Sequence, residues 1–229
     1  ASPAKWHLAH TSWFFEVFVL KQFFPDYESL HPQYEFLFNS YYNAVGPFYS
    51  RQHRGLLSRP TVKEVFSYRA DIDLFVSELI ESADDELLAK MGPIIVLGLN
   101  HEQQHQELML TDIKSVFWQN PLRPVFRARD AAKPRPAPAI EWLLFDEDVY
   151  RIGHEGPEFS YDNEGPSHRV FVQSFELASR LVANAEYLAF MEDGGYRRPE
   201  LWLSMGWNAV KEKGWDSPFY WEREGGKWR

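Results

Sequence analysis

The segment LNHEQQHQELMLTDI, residues 99–113, decides how the first half of this chain folds. His101 and His105 lie four positions apart, a spacing that places two imidazoles on one face of a helix, one turn apart. Asp112 lies on the same face, two turns beyond His105, and apolar residues at helical spacing extend that face toward the N-terminus. The pattern predicts a long helix over residues 92–118, with a proline near its start.

Two other segments carry helical patterns. Residues 2–24 place Trp6, His10, Trp13 and Val17 on one narrow stripe, with Ser2 as a candidate cap. His7 lies near the edge of that stripe, about a quarter-turn away. Thr61 and Glu64 form a capping-box pattern ahead of another amphipathic helix. Three long helices predict an antiparallel bundle.

The remaining segments set the domain boundaries. Residues 25–60 are irregular and aromatic, which is typical of a functional loop. A run rich in proline and alanine predicts an extended linker over residues 126–139. We therefore expect a helical domain at 1–125 and a second domain at 140–229, whose short strand patterns and one helix indicate an α+β fold.

Composition narrows the class of protein. The net charge of -9 makes nucleic acid an unexpected partner. No apolar run is long enough to predict a membrane span, and the absence of cysteine excludes disulfides and thiolate metal ligands. We expect a cytoplasmic protein. Neither end has the pattern of a natural terminus, so we expect the chain to be an internal piece of a longer one.

The histidines are the main candidates for chemistry. His101 and His105 can chelate one divalent ion, and His10 faces inward on a different helix of the predicted bundle. Three neutral imidazoles leave coordination positions open, as catalytic sites require. Zinc, copper, nickel and iron all accept such ligands. Two alternatives remain: ordinary core histidines, and a protease-like site in which Glu102 acts as general base.

Two polar residues flank this pattern. Asp112 is a candidate acceptor for an imidazole N–H beyond the ligand shell. Gln104 lies about 60° from the histidine stripe and is a candidate for contacting a substrate. The alternative for both is a side chain that faces water. His31 and His53 have no periodic partner and are interpreted as loop residues.

The aromatic loop supplies further candidates. A phenol of Tyr41 or Tyr42 can donate a proton near a metal-bound species, although adjacent tyrosines are usually packing residues. Arg51 and Arg54 can bind a carboxylate in a bidentate manner, with solvent-facing arginines as the alternative.

Three segments of the chain resemble the sulfoxide synthases of ergothioneine biosynthesis. They are SPAKWHLAHTSWFFE at 2–16, LNHEQQHQELMLTDI at 99–113, and FSYDNEGPSHRVFVQSFELASRLVANAEYLAFMEDGGY at 159–196. The resemblance implies a DinB-like four-helix bundle, followed by a domain like the formylglycine-generating enzyme, a variant of the C-type lectin fold. It also implies that this second domain is incomplete here.

The resemblance implies a specific chemistry. A single non-haem Fe(II) would be held by His10, His101 and His105, with His7 outside the ligand set. Molecular oxygen would be the co-substrate. Cysteine or γ-glutamylcysteine would be joined through sulfur to C2 of the imidazole of hercynine, which is trimethylated histidine, and the sulfur would be oxidised to a sulfoxide.

The resemblance also assigns roles to the other candidates. A tyrosine near the iron would deliver a proton, and the adjacent pair Tyr41 and Tyr42 is similar to the subgroup that uses free cysteine. Arg51 and Arg54 would bind the carboxylate of the thiol, and Gln104 would face hercynine. The trimethylammonium group needs an aromatic or acidic cage. The candidates for it are Trp207, Trp215 and Trp221.

Other functions remain open on the sequence. Synthases of the selenoneine and ovothiol pathways share the scaffold and the three histidines. A DinB-like thiol transferase would use a divalent metal without oxygen. A binding module without catalysis would use only the lectin-like half.

Overall fold

The computed structural model describes residues 1–128 and 135–228. The chain divides into two compact units. The first contains Ala1–Ala128 and Gly156–Gly165, and the second contains Arg129–Glu155 and Pro166–Arg229. Part of the predicted linker, residues 129–134, lies outside the described residues. The predicted domain limits stay a prediction. One short segment from the second half of the sequence, Gly156–Gly165, packs with the helical unit.

The first unit begins with a nearly continuous helix. It consists of α1 (Ala4–Phe15), a π-helical segment (Glu16–Leu20) and α2 (Lys21–Phe23). Its apolar stripe is buried as predicted. The predicted capping role of Ser2 was wrong, because Pro3 occupies the cap position without a side-chain hydrogen bond. The backbone N–H of Ser2 instead donates to Asp112 at 2.8 Å.

Two long helices pack against α1. After the short helix α3 (Tyr34–Phe38) and a 3-10 turn (Arg51–Leu56), α4 extends over Val62–Ser82 and α5 over Asp85–Gln119. The predicted capping box at the start of α4 is confirmed, since the Thr61 hydroxyl accepts from Glu64 N–H and the Glu64 carboxylate accepts from Thr61 N–H.

Helix α5 begins seven residues earlier than predicted. Asp84 caps it by accepting from the backbone N–H of Leu87 at 2.8 Å, so Pro93 lies inside the helix. An interior proline costs about 3 kcal/mol because it removes one helical hydrogen bond and clashes with the preceding turn. Complete burial of Met91 offsets much of that cost, at about 1.5–3 kcal/mol.

The core of this unit is aromatic and aliphatic, and it is shared by α1, the π-helical segment, α4 and α5. Glu16 is buried within it, and its carboxylate accepts hydrogen bonds from the hydroxyls of Tyr27 and Tyr68. The described residues of this unit contain three long helices, and the four-helix bundle stays a prediction. The largest fully buried side chains include Trp6, Trp13, Phe38, Leu20 and Ile72.

The second unit mixes strands and helices, so the predicted α+β class is confirmed. Antiparallel pairs join β1 to β4, β2 to β3 and β5 to β6. Phe145 and Phe175 stack across the first pair with ring centroids 4.9 Å apart. Most strand side chains are exposed. The elements are β1 (Trp142–Phe145), β2 (Asp148–Ile152), β3 (His168–Val172), β4 (Phe175–Ala178), α6 (Asn184–Glu192), α7 (Ser204–Lys213), β5 (Arg223–Glu224) and β6 (Lys227–Trp228).

A membrane span requires a helix that is both long and apolar. No helix in the described parts of the chain meets both conditions.

Gly98 permits the close packing of α5 on α1. A Cβ at this position would lie 2.6 Å from Cζ of Phe15 and 2.9 Å from Cε1 of Phe14. At Gly92, on the same helix, an added Cβ would have no heavy atom within 4 Å. The two glycines therefore form a matched pair for testing this contact.

We expect Gly98→Ala to destabilise the protein by about 1–3 kcal/mol, because the added methyl group overpacks the helix contact. Gly92→Ala should stabilise it by up to about 1 kcal/mol, because alanine has the higher helix propensity. Urea unfolding of both variants measures the difference. Equal effects of the two substitutions would contradict the packing role of Gly98.

Candidate functional site

Three histidines predicted to act together lie in one cluster. His10 comes from α1, and His101 and His105 come from α5. One nitrogen from each ring lies within 4.8 Å of the others. Ring centroids are 5.0 Å apart for His10 and His101, and 4.6 Å apart for each of the other two pairs. The spacing is compatible with binding of a single metal ion.

The hydrogen bonds of these rings favour a metal at the cluster. His10 Nδ1 donates to the backbone carbonyl of Phe38 at 2.5 Å, which leaves its Nε2 with a free lone pair. Nδ1 of His101 is buried and has no hydrogen-bond partner in the described structure. A buried unsatisfied nitrogen is costly. The donor set therefore fits a divalent ion that accepts imidazole nitrogen.

The three imidazoles are neutral at pH 7. Burial lowers the pKa of His101 to about 4. Burial, followed by the neighbouring His101, lowers the pKa of His105 to about 3. Burial places the pKa of His10 well below its usual value. Neutral imidazole is the form that binds metals, so no proton has to be displaced near neutral pH.

Aromatic rings enclose the cluster. Trp6 and Trp13 stack on His10 at centroid distances of 4.7 and 5.3 Å, and Phe14 lies 5.1 Å from His101. These side chains belong to the core of α1, so the same stripe that folds the helix also excludes water from one side of the site.

His7 is a fourth histidine of the site, although the sequence pattern places it at the edge of the helix stripe. Its Nδ1 lies 3.0 Å from Nδ1 of His105, and its Nε2 lies 3.1 Å from Oδ2 of Asp112. Asp112 thus bonds to His7 rather than to one of the three clustered rings. One feature of the sequence could have indicated that His7 lies near the site. His7 and His10 have i, i+3 spacing, and residues at this spacing share one side of a helix.

The two tyrosines have different environments. Tyr42 is half-buried, with its ring centroid 6.3 Å from His10 and 6.4 Å from His101. Burial raises its pKa, so its phenol stays protonated at neutral pH. Tyr41 is 65% exposed, and its hydroxyl accepts from Arg51 at 2.9 Å. Tyr42 is the tyrosine that lies near the histidine cluster.

Arg54 is a buried cation. Its guanidinium lies 3.5 Å from the centroid of Trp6 and donates to the hydroxyls of Ser2 and Ser40. Burial and the neighbouring Arg51 lower its pKa to about 10. In the described residues no carboxylate forms an ion pair with it, and its Nε has no partner. A buried charge without a counter-ion is costly, so this position favours a bound anion.

Two cavities meet at the histidines. The first, of about 440 Å³, contains all three clustered rings, both tyrosines, both arginines, His7 and Asp112. The second, of about 670 Å³, is lined by Tyr42, His101 and Gln104 and by residues 159–163 of the segment that packs with the helical unit. Gln104 lines both cavities, so it can contact a ligand in either.

Glu102 does not point into this site. Its carboxylate accepts from Nη2 of Arg69 at 2.6 Å, and Arg69 also donates to the hydroxyl of Thr11. This ion pair occupies the residue that would serve as general base in a protease-like site. The geometry therefore argues against that alternative.

The predicted cage residues Trp207, Trp215 and Trp221 belong to the second unit. Within that unit, Lys213 lies over the ring of Trp215, and Tyr187 packs against Trp221. Their role in a cage stays a prediction.

Comparison with known proteins identifies relatives along the whole chain. The hercynine oxygenase of Mycolicibacterium thermoresistibile is 30% identical over 233 residues, covering 100% of this chain and 49% of the relative. The hercynine oxygenase of Mycolicibacterium smegmatis is 28% identical over 235 residues, covering 100% of this chain and 51% of the relative. The chain thus spans about half the length of these relatives.

A third relative matches a shorter region. The formylglycine-generating enzyme of Bos taurus is 31% identical over 62 residues, which are 27% of this chain and 17% of that enzyme. No family model matches the chain.

The loop that carries Tyr42 is held by Asn39. This fully buried side chain donates to the carbonyls of Tyr42 at 3.3 Å and Gly46 at 3.0 Å. We expect Asn39→Ala to destabilise the protein by about 1–3 kcal/mol, because both hydrogen bonds from the Asn39 amide to the loop carbonyls are lost. Asn43→Ala, an exposed change in the same loop, should stay within about 0.5 kcal/mol.

Urea unfolding and limited proteolysis of both variants test this role. A loop cleaved no faster in Asn39→Ala than in Asn43→Ala would show that Asn39 does not order the segment around Tyr42.

Proposed function

Because this chain is related along its entire length to the hercynine oxygenases, we propose that it performs the sulfur transfer of ergothioneine biosynthesis. In this reaction, hercynine, a thiol and O2 give a sulfoxide and water. The imidazole C2–H and the S–H bonds break, a C–S bond forms, one oxygen atom enters the sulfoxide, and the other leaves as water. The observation that carries the proposal is the convergence of three neutral imidazoles in one cavity with a buried guanidinium whose Nε has no hydrogen-bond partner.

We propose a corresponding architecture for the two units. The helical unit would be the DinB-like domain, and the second unit would be part of a domain like the formylglycine-generating enzyme. The match of 62 residues to the bovine enzyme supports the second assignment. The exposed strands of that unit agree with a domain whose core needs further chain to be complete.

The metal would be Fe(II), held by His10, His101 and His105. When bound, iron would supply a Lewis acid for the thiol and a redox route to oxygen. The chain contributes three neutral ligands that keep the full charge of the ion, and the adjoining cavities provide space for substrates.

The thiol substrate would be anchored through its carboxylate. Arg54 supplies a buried guanidinium, and Arg51 lies at the rim of the same cavity. An anion here would compensate the desolvated charge of Arg54, which makes this contact stronger than one at the surface. Cysteine carries such a carboxylate beside its thiol, and γ-glutamylcysteine is the other candidate.

Hercynine would occupy the second cavity. Phe159 and Tyr161 present aromatic surfaces there, with ring centroids 4.9 Å apart, and Asp162 adds a carboxylate. Aromatic faces and anions bind quaternary ammonium groups. Gln104 can hydrogen-bond the imidazole or the carboxylate of this substrate. We propose these residues as cage candidates alongside the three tryptophans of the second unit.

Tyr42 would act as the proton donor. It lines both cavities, and its raised pKa keeps the phenolic proton available. Tyr41, which is bonded to Arg51, would instead help to orient the carboxylate clamp.

The metal assignment predicts the behaviour of histidine variants. We expect His101→Ala and His105→Ala each to abolish stoichiometric Fe(II) binding, because each substitution removes one of the three ligands and leaves only two. His53→Ala, an exposed change in the loop, should retain wild-type binding. Anaerobic titration followed by metal analysis measures this. Full iron content in both α5 variants would refute the assignment.

Product analysis tests the reaction itself. The protein, loaded anaerobically with Fe(II) and then given O2, hercynine and cysteine, should form the sulfoxide detected by mass spectrometry. Tyr42→Phe should shift the balance from C–S coupling toward oxidation of the thiol, because the nearby proton donor is lost. Tyr41→Phe should preserve the balance and raise the KM for the thiol. Identical product ratios in both variants would remove Tyr42 from the mechanism.

A further inference from the structure

A chain of hydrogen bonds runs from Asp112 through His7 to His105. Oδ2 of Asp112 lies 3.1 Å from Nε2 of His7, and Nδ1 of His7 lies 3.0 Å from Nδ1 of His105. The backbone N–H of Ser2 donates to the same carboxylate oxygen at 2.8 Å. The metal site proposed above uses neither His7 nor Asp112 as a ligand.

The carboxylate of Asp112 fixes which atom donates and which accepts in each of these hydrogen bonds. An ionised carboxylate only accepts hydrogen bonds, so Nε2 of His7 must carry a proton. In a neutral imidazole the other nitrogen then has a lone pair, and Nδ1 of His7 becomes an acceptor. The facing Nδ1 of His105 must therefore be the donor. This leaves Nε2 of His105 without a proton.

We propose that His7 and Asp112 are positioning residues that hold His105 in its Nδ1–H tautomer and so keep its Nε2 lone pair available to a metal. The inference rests on the proposed metal site. Neutral histidine side chains in water favour the opposite tautomer, with the proton on Nε2, so His105 needs a specific acceptor at Nδ1.

A comparison with His10 shows why fixing the tautomer of His105 requires Asp112 as well as His7. His10 donates through Nδ1 to the carbonyl of Phe38, and a carbonyl can only accept. The acceptor of His105 is an imidazole, which can donate or accept. Only the bond from His7 to Asp112 removes this ambiguity, and ligating histidines commonly depend on such outer partners.

The burial of His7 supports the same direction of hydrogen bonding, from His105 to His7 and from His7 to Asp112. Only 4% of the residue is exposed, and burial lowers its pKa despite the nearby Asp112. A neutral ring has one donor and one acceptor, and here both are used.

Nitrogen NMR of the metal-free protein, labelled with 15N-histidine, tests the tautomer directly. We expect Nδ1–H for His105 in the wild type and mainly Nε2–H in His7→Phe. His7→Asn should populate both forms, because its amide can present either the oxygen or the NH2 group to Nδ1 of His105. Asp112→Asn should populate both forms, because an amide can also donate. Asp112 is near the surface, so this variant supplies the readout if His7→Phe fails to fold.

Metal affinity gives the second readout, with Co(II) as the probe in competition with a chelating dye. His7→Phe should weaken binding by about 10–100-fold. Asp112→Asn and His7→Asn should weaken it less, because part of the His105 population keeps the Nδ1–H form. An unchanged tautomer or an unchanged Kd in both His7→Phe and Asp112→Asn would overturn the proposal.

The two proposals fail in distinguishable ways. Equal Co(II) affinity of the wild type and His101→Ala would overturn the metal site itself. A wild type that binds Co(II) tightly while His105 carries its proton on Nε2 in the metal-free protein would overturn only the role of His7 and Asp112.

Discussion

The close contact of α1 with α5 is the constraint on which the rest of the helical unit depends. Gly98 has no side chain, so the rings of Phe14 and Phe15 can lie against the backbone of α5. One helical turn further along, the same approach brings His101 near His10. A wider separation of the helices would leave two paired imidazoles and one distant ring, and no common point for an ion.

Burial at this contact has an electrostatic consequence. The aromatic stripe of α1 removes water from the histidines and lowers their pKa values, so the rings are neutral ligands. The same packing buries Arg54 against the ring of Trp6, without an ion pair to a carboxylate of the described residues. Hydrophobic packing thus creates a neutral donor set and a positive position within one cavity, which is a combination suited to an anionic substrate that also binds a metal.

The two units are organised differently. The helical unit has a continuous core with many fully buried side chains. The second unit is built from pairs of short strands whose apolar side chains are largely exposed, including Trp142, Leu144 and Phe171. The helical unit is therefore where the described residues bring together a site, and the segment at 156–165 adds side chains to it from far along the sequence.

The sequence by itself determined the helix stripes, the cap at Thr61 and the facing positions of His10, His101 and His105, because helical periodicity and capping depend on residues close in sequence. Tertiary structure alone decided the rest. Pro93 lies inside α5, in a helix that also buries Met91 completely. Ser2 bonds to Asp112 rather than capping α1, and His7 lies between Asp112 and His105. Tyr42 is nearer the histidines than Tyr41, and the 156–165 segment joins the helical unit. These outcomes depend on contacts between residues that are far apart in the sequence or on competing burial, which no local pattern encodes.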